Sequence, residues 1–236
     1  FRSIFGTNNG IGSQGIVMDG TEEQRAYYLP KLASGEIIGS FALTEPNAGS
    51  DAGALQTKAV KSGDDYIISG TKRYITNAPH AQLFTVFART DPNQSGAKGV
   101  SAFLVDADTP GITLSQPYRK MGQQGAHVCD VIFEDCRVPA SQMVGGVNNL
   151  HKGFQTAMKT LDRGRIHISA LSVGCANRLI DLCLSYGQER SQFGQPIGEF
   201  QLLQGMIADS KAESYAAECM IFDTAKRRDN GENVNT

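Results

Sequence analysis

The hydrophobic period of the sequence changes sharply along the chain. Between residues 37 and 134, short apolar segments alternate with polar positions, and clusters of turn-forming residues such as those at 91–96 separate them. From Gly153 onward, apolar residues instead recur at spacings of three and four, which is the period of an amphipathic helix. No helical pattern interrupts the first stretch. An antiparallel barrel or sandwich is therefore expected there, rather than a doubly wound parallel sheet.

The alternating stretch predicts a series of short strands. A hairpin turn is indicated at Gly63-Asp64-Asp65, where turn-forming residues separate two alternating segments. The predicted strands cover residues 37–43, 55–60, 66–69, 72–76, 83–89, 100–105, 112–115 and 128–134.

Helices are predicted on both sides of these strands. Thr21 and Gln24 form a capping box that begins a helix ending near Gly35. Two long helices, separated by the break at residues 191–196, are expected to form an antiparallel pair after residue 150. Such a pair leaves an apolar face uncovered unless further helices or another subunit pack on it. The predicted domains are residues 1–36, 37–150 and 151–236.

Charge and cysteine usage exclude several classes of function. The 22 Lys and Arg residues against 24 Asp and Glu give a net charge of −2, whereas a general nucleic-acid binder carries a basic excess. No apolar run approaches the roughly 20 residues that span a bilayer. Five cysteines without a CxxC pair, and four histidines without HxxxH or HExxH spacing, favour neither a disulfide framework nor a metal site. We therefore expect an intracellular protein with no metal.

The first fifteen residues lack an initiating Met and contain a glycine pattern that resembles a nucleotide-binding motif. The sequence begins with Phe1 rather than Met and carries no signal peptide, so we expect it to be cut from a longer protein. Residues 10–15 spell GxGxxG, the dinucleotide-binding fingerprint, but that fingerprint requires a preceding strand within a βαβ unit. No strand is predicted there, and we reject a Rossmann site.

Three segments carry the candidate chemistry. Residues 43–51 leave a strand, turn at Pro46 and end in small residues, with hydroxyls at Thr44 and Ser50. Such a loop can approach a phosphate or a heteroaromatic ring, although an ordinary turn has the same composition. Tyr74 and Thr76 are two residues apart, hence on one face of a strand. The break between the two long helices adds the charged fork of Arg190.

These segments carry a resemblance to a known family. The sequence FALTEPNAGSDAG resembles the first signature of the acyl-CoA dehydrogenase family, and RSQFGQPIGEFQ resembles the start of the second. The motifs YITN, DADTPGI, KMG and VIFEDCRVP lie between them in the family's order. The resemblance extends over essentially the whole chain.

The resemblance implies an α+β fold and an FAD cofactor. The chain would hold the end of an N-terminal helical domain, a complete central β-domain of antiparallel barrel or sandwich type, and two long antiparallel helices of an incomplete four-helix domain. By similarity, the residues that contact FAD are Phe41, Ala42, Leu43, Thr44, Gly49, Ser50, Tyr74, Ile75, Thr76, Arg190, Phe193 and Gln201. Those that contact the acyl-CoA are Ser50, Asp162 and Arg165.

Individual roles follow from the family motifs. Thr44 is implied to bond the flavin ring system, and Thr76 to bond near flavin N5. Tyr74 replaces the family's usual Trp, which keeps a flat ring beside the isoalloxazine. Arg190 and Gln201 match residues that contact the FAD of the adjacent subunit, with Arg190 at the pyrophosphate, where a guanidinium pairs well with phosphate oxygens.

The implied reaction is α,β-dehydrogenation of an acyl-CoA thioester. A carboxylate base removes the α-proton while the β-hydride passes to flavin N5. Most members carry this base as a Glu beyond the point corresponding to Thr236. A subset carries it two positions after the Asp of the D-x-x-R motif, but here that position is Gly164. We therefore assign no catalytic residue and expect this chain alone to be inactive.

Alternatives remain open at this stage. An acyl-CoA oxidase or a nitroalkane-oxidase-like enzyme shares the fold, and the chain by itself could be a non-catalytic flavin-domain remnant. The resemblance also implies a homo-oligomer, either a dimer or a tetramer, and electron-transferring flavoprotein as the electron acceptor. The expected compartment is the bacterial cytoplasm or the mitochondrial matrix.

Overall fold

The computed structural model describes residues 2–234, with the side chain of residue 2 left out, and divides the chain into two compact units. The first unit extends to Leu161 and the second begins at Asp162. The first contains helices, a sheet and the opening turns of a long helix, and the second is almost entirely helical. This composition confirms the predicted α+β class.

Three helices begin the first unit: α1 (Arg2–Asn9), α2 (Ile11–Asp19) and α3 (Glu22–Ser34). The capping box predicted for α3 is present, because Thr21 Oγ1 accepts from the Gln24 N–H while Gln24 Oε1 accepts from the Thr21 N–H. The helix ends at Gly35, whose φ of 77° is left-handed. The sequence did not predict α1 and α2. The GxGxxG segment begins at Gly10, the N-cap of α2, rather than after a strand.

One sheet of seven strands follows, with bounds that partly differ from the predicted ones. The prediction for β4 has the observed bounds, whereas the two segments predicted at 66–69 and 72–76 form the single strand β3. The strands are β1 (Gly39–Ala42), β2 (Lys58–Ser62), β3 (Asp65–Thr76), β4 (Leu83–Arg89), β5 (Val100–Asp106), β6 (Ile112–Leu114) and β7 (Val128–Pro139).

The sheet is not wholly antiparallel, which corrects the prediction in one respect. Its strand order is β1-β4-β2-β3-β7-β6, with β5 paired to the other side of β4. The predicted hairpin joins β2 and β3 as an antiparallel pair, but β1 and β4 are parallel. The chain passes through the whole β2–β3 hairpin before it returns as β4, which provides the long connection that a parallel pair requires.

The central strands are buried on both faces. Val86 and Phe103 belong to one hydrophobic cluster, while their chain neighbours Phe87 and Leu104 belong to a second. That second cluster includes Ile16 of α2, so the N-terminal helices cover this face. Burial on both faces explains why β4 and β5 read as continuous apolar runs rather than as alternating ones.

The second unit contains two long helices joined by a short hairpin. Helix α4 (Gly153–Glu189) starts in the first unit and continues through the second. The strands β8 (Ser191–Gln192) and β9 (Gln195–Pro196) connect it to α5 (Gln201–Asp229).

The two helices are antiparallel, as predicted. Asn177 of α4 faces Ser214 and Glu218 of α5, with Ser214 Oγ donating to Asn177 Oδ1 at 2.9 Å. Further along α4, Gly187 instead meets Gly198, which lies in the short turn of residues 197–199 before α5. A Cβ at Gly198 would lie 3.0 Å from the Gly187 carbonyl oxygen, so two glycines allow this close approach.

Helix α4 is also long and apolar enough to cross a membrane by length and composition, with a mean hydropathy of 1.3 over its most apolar window. One such helix is weak evidence, because core helices of soluble proteins meet the same criterion. The expectation that no segment spans a membrane stays a prediction.

Two valines of the sheet test the assignment of its core. Val86 of β4 is fully buried, whereas Val60 of β2 is 56% exposed. We expect Val86→Ala to lower the free energy of unfolding by about 2 kcal/mol, since it removes two buried methyl groups and leaves a cavity. Val60→Ala, the matched control, should cost less than about 0.5 kcal/mol. Urea unfolding of the full-length protein, followed by circular dichroism, measures both. Equal costs would contradict the assigned core.

Candidate functional site

Two segments that are distant in sequence lie side by side in the first unit. The Arg73 N–H donates to the Thr44 carbonyl at 2.7 Å, and Ser40 Oγ donates to the Thr76 carbonyl at 2.8 Å. These two bonds join the C-terminal part of β3 to β1 and to the loop of residues 44–55 that follows β1. The hydroxyl-bearing residues Thr44 and Thr76 therefore belong to adjoining backbone segments, as the proposed cofactor contacts require.

A buried ion pair holds these segments together. Lys72 on β3 has no exposed surface, and its Nζ donates to Glu45 Oε1 at 2.8 Å and to the Leu43 carbonyl at 3.1 Å. The Glu45 carboxylate also accepts from the N–H groups of Gln56 and Thr57, at 2.6 and 2.9 Å. Lys72 therefore joins β3 to the start of the 44–55 loop, and Glu45 joins that start to the two residues that follow the end of the loop.

Burial shifts the titration of both partners. It lowers the pKa of the Lys72 ammonium to about 8, and the attraction of Glu45 opposes this shift only in part. Desolvation by itself would raise the pKa of Glu45, but the charge and hydrogen bond of Lys72 outweigh it, so the pKa is lowered. The pair is therefore ionised at neutral pH, and Glu45 serves to anchor the loop.

Arg89 anchors the far end of the same loop. Its guanidinium donates to the carbonyls of Gly53 and Leu55 at 2.9 and 3.3 Å. It also donates to three carbonyls of the 90–99 connection, those of Gln94, Gly96 and Lys98. With Lys72 near its start and Arg89 at its end, the loop is fixed at both ends on strands of the sheet.

The predicted cofactor residues of the first unit divide into two groups. The side chains of Ala42, Leu43 and Ile75 are buried in the hydrophobic clusters, so they can offer a ligand only their main chain. Phe41 is partly buried and stacks against Phe87, with ring centroids 4.9 Å apart.

The second group presents polar or open surface. Thr44 and Thr76 are partly exposed, and Ser50 is exposed. A Cβ placed on Gly49 would meet nothing within 4 Å. The Tyr74 side chain is 59% exposed. Neutral hydroxyls, an open glycine and an aromatic ring suit a flat heterocycle with carbonyl and ring-nitrogen atoms, so this surface fits a flavin.

Tyr74 itself departs from the geometry that the sequence suggested. Its φ is 59°, and the pairing of β3 with β7 shifts register between Lys72 and Ile75. The spacing argument that placed Tyr74 and Thr76 on one face of a regular strand is therefore wrong, because a bulge interrupts the alternation at Tyr74. A left-handed backbone costs a non-glycine residue about 1–3 kcal/mol, so neighbouring groups must maintain it.

The remaining predicted residues lie in the second unit. Arg190, Phe193 and Gln201 are all exposed, and the Phe193 side chain is 96% exposed at a left-handed φ of 55°. They surround the β8–β9 hairpin and the start of α5. Their polar and aromatic groups are thus free to meet a ligand outside this unit.

The predicted substrate residues of α4 form an ion pair. Arg165 donates to the Asp162 carboxylate one helical turn away. Both residues line a cavity of about 570 Å³ between α4 and α5, together with Ile166 and Met220. The cavity combines charged and apolar walls, which suits an amphipathic ligand.

Sequence reasoning missed Lys72 and Asp130, both central to the geometry of this site. Asp130 on β7 accepts from Arg73 Nη2 at 3.1 Å and from the Tyr118 hydroxyl at 2.9 Å. One signal was available for Lys72, since a lysine at an inward position of an alternating strand needs a buried partner. The partners themselves are far away in sequence.

The titration of Lys72 gives a prediction for stability. A lowered pKa in the folded state means that the charged ammonium destabilises the fold below about pH 8, and that stability rises as the proton is lost. Between about pH 7 and pH 9, the stability difference between wild type and Lys72→Met should shift toward wild type by about 1 kcal/mol. Chemical unfolding at each pH measures this difference. Lys61→Met, at an exposed position of β2, should show no such shift. A pH-independent difference for Lys72→Met would contradict the assignment.

Comparison with family models matches nearly the whole chain in order. The acyl-CoA dehydrogenase N-terminal domain matches residues 1–36, the middle domain residues 40–136 and the C-terminal domain residues 151–236. The domain boundaries predicted from sequence stay a prediction. The compact units of the structure are a different division, into two parts that meet after Leu161.

Individual proteins agree with these models. The probable acyl-CoA dehydrogenase YngJ of Bacillus subtilis (strain 168) is 47% identical over 219 residues, which cover 93% of this chain and 57% of that protein. The structure of butyryl-CoA dehydrogenase from Megasphaera elsdenii has a TM-score of 0.89 at 37% identity, covering 94% of this chain and 57% of its own. The prolyl acyl carrier protein oxidase AnaB has a TM-score of 0.91, also at 37% identity, covering 97% and 60%.

The chain thus spans a little over half the length of the proteins it matches. Within that span, the ordered domain matches, the relatives and the shared fold agree with the family that the sequence motifs had indicated. This chain belongs to the acyl-CoA dehydrogenase family.

Proposed function

We propose that the protein containing this chain is an FAD-dependent acyl-CoA dehydrogenase. The main supporting observation is the direct joining of the Thr44 segment to the Thr76 segment, through the Arg73 N–H and the Ser40 hydroxyl. These are the two segments to which the family motifs assign contacts with the flavin ring. When bound, FAD supplies the hydride acceptor for oxidation of the acyl thioester.

The residues of this chain bind and orient the reactants in this proposal. Thr44 and Thr76 would bind the flavin ring through their hydroxyls, and the exposed Ser50 in the middle of the loop would meet phosphate or CoA groups. The main chain around Gly49 allows close approach, because no side chain intervenes. Fixing the loop at both ends lets these contacts form without further reorganisation on binding.

The predicted residues of the second unit bind the acyl-CoA and a neighbouring FAD in this proposal. Asp162 and Arg165 contact the acyl-CoA beside the cavity between α4 and α5. Arg190, with Phe193 and Gln201, contacts the FAD of a neighbouring subunit, so a homo-oligomer completes the site. Arginine suits this role because its planar fork pairs with two phosphate oxygens at once.

The base that removes the α-proton lies outside this chain in our proposal. Glu45 cannot serve, because its carboxylate already accepts from the Lys72 ammonium and the two N–H groups of Gln56 and Thr57. Gly164 occupies the alternative position on α4 and has no side chain. This chain alone would therefore bind the cofactor without turnover.

An oxidase is the second candidate function. The similarity to the prolyl acyl carrier protein oxidase AnaB, at a TM-score of 0.91, favours it specifically. An oxidase would pass the electrons of the reduced flavin to oxygen and produce peroxide. A dehydrogenase would pass them to electron-transferring flavoprotein, in the bacterial cytoplasm or the mitochondrial matrix.

Flavin bleaching distinguishes these functions. We expect the full-length protein to purify with FAD, and the visible absorption band of its oxidised flavin to bleach when an acyl-CoA is added without oxygen. Reoxidation by electron-transferring flavoprotein rather than by oxygen supports the dehydrogenase, and rapid peroxide formation supports the oxidase. A flavin that no acyl thioester of any chain length reduces would overturn both.

A single hydroxyl tests the assigned ring contact. Thr76→Val keeps the shape of the side chain and removes its hydrogen bond, so we expect the rate of flavin reduction to fall about tenfold. Thr113→Val, at an exposed position on β6, is the matched control and should leave the rate unchanged. Stopped-flow absorbance measures both rates. Equal rates for the two variants would remove Thr76 from the site.

A further inference from the structure

Asp130 is a largely buried carboxylate on β7 that lies beside the bulge at Tyr74. It is 7% exposed, and its own N–H donates to Ser115 Oγ at 3.0 Å. Oδ1 accepts from the Tyr118 hydroxyl at 2.9 Å and from the Tyr74 N–H at 3.4 Å, while Oδ2 accepts from Arg73 Nε and Nη2 at 3.2 and 3.1 Å. Nothing in the proposed reaction uses this group directly.

The contact with the Tyr74 N–H bears on the backbone. Register between β3 and β7 shifts between Lys72 and Ile75, and Tyr74 lies inside that shift with a φ of 59°. A bulge leaves the extra residue without its ladder partner. The Asp130 carboxylate supplies an acceptor at this point, which compensates for both the lost pairing and the unfavourable conformation.

The same carboxylate fixes two groups that lie against the Tyr74 ring. The Tyr118 ring packs against it with centroids 5.1 Å apart and planes inclined by 50°. The Arg73 guanidinium lies 5.9 Å from its centroid. Both neighbours are held by Asp130, so one side chain constrains the backbone of Tyr74 and the orientation of its ring.

We propose that Asp130 is a positioning residue that holds the Tyr74 ring at the flavin-binding surface. Its importance for the cofactor rests on the proposed function, while its effect on Tyr74 does not. Asp130 is not a catalytic residue, because it acts only through Tyr74, Tyr118 and Arg73. The ring it positions is more than half exposed, so it is available to a bound heterocycle.

The position of the ring can be measured without cofactor. This chain contains no Trp, so Tyr74→Trp in the full-length apoprotein adds an indole at this site, whose emission is obtained by subtracting that of the parent. We expect Asp130→Asn to increase acrylamide quenching of this added emission about twofold, because the ring loses its anchors and gains motion. Tyr118→Phe, which removes only one hydrogen bond, should give a smaller increase.

The matched control is Asp65→Asn. Asp65 also joins β3 to β7, through an exposed ion pair with Arg137 at 2.9 Å, but it is remote from Tyr74 in the register. This variant should leave quenching unchanged. Unchanged quenching in both Asp130→Asn and Tyr118→Phe would overturn the proposal.

A second measurement links the position of the ring to the cofactor. In the protein with Tyr74 intact, we expect Asp130→Asn to raise the FAD dissociation constant about tenfold and Asp65→Asn to leave it within about twofold. A flavin absorption band shifted only by the first variant would add support. Equal affinities for FAD would overturn the contribution of Asp130 to cofactor binding. If the wild-type protein binds no FAD, the proposed function fails, while the quenching comparison still decides whether Asp130 positions Tyr74.

Discussion

The arrangement of the candidate site depends on the ion pair between Lys72 and Glu45. Both charges are removed from water, and the attraction of Glu45 offsets the desolvation of Lys72 only in part. The carboxylate also accepts two main-chain N–H groups, and the ammonium also donates to the Leu43 carbonyl. The Lys72 contacts join β3 to the start of the loop after β1, and the Glu45 carboxylate ties that start to the residues that follow the loop. Since removal of either partner would leave a buried charge unpaired, the pair specifies one position for the loop.

The rest of the first unit provides a rigid support for that contact. Strands β4 and β5 are buried on both faces of the sheet, and α2 and α3 cover one of these two faces. Arg89 extends from β4 to fix the end of the 44–55 loop through main-chain carbonyls. The loop therefore carries its exposed hydroxyls on fixed supports, and residues that never touch a ligand determine where Thr44 and Thr76 lie.

Sequence patterns predicted the elements that are determined by neighbouring residues in the chain. The bounds of β4 were correct because burial on both faces gives a continuous apolar run, and the start of α3 was correct because its capping box is local. Helices α1 and α2 were missed because glycines weaken their helical pattern. The parallel pairing of β1 with β4 depends on chain topology and leaves no local signal.

The candidate site was predicted in part: its hydroxyl-bearing residues were assigned, and the residues that hold them in place were not. Thr44 and Thr76 followed from motifs that resemble a family, and the structure joins their segments. Lys72 and Asp130 were not assigned, because their meaning comes from partners 27 and 57 residues away, Glu45 and Arg73. A crystal structure of the full-length protein with FAD is the most direct test of whether these joined segments form the flavin site. We expect the isoalloxazine ring within hydrogen-bond distance of both Thr44 and Thr76, and a ring bound away from either segment would contradict this arrangement.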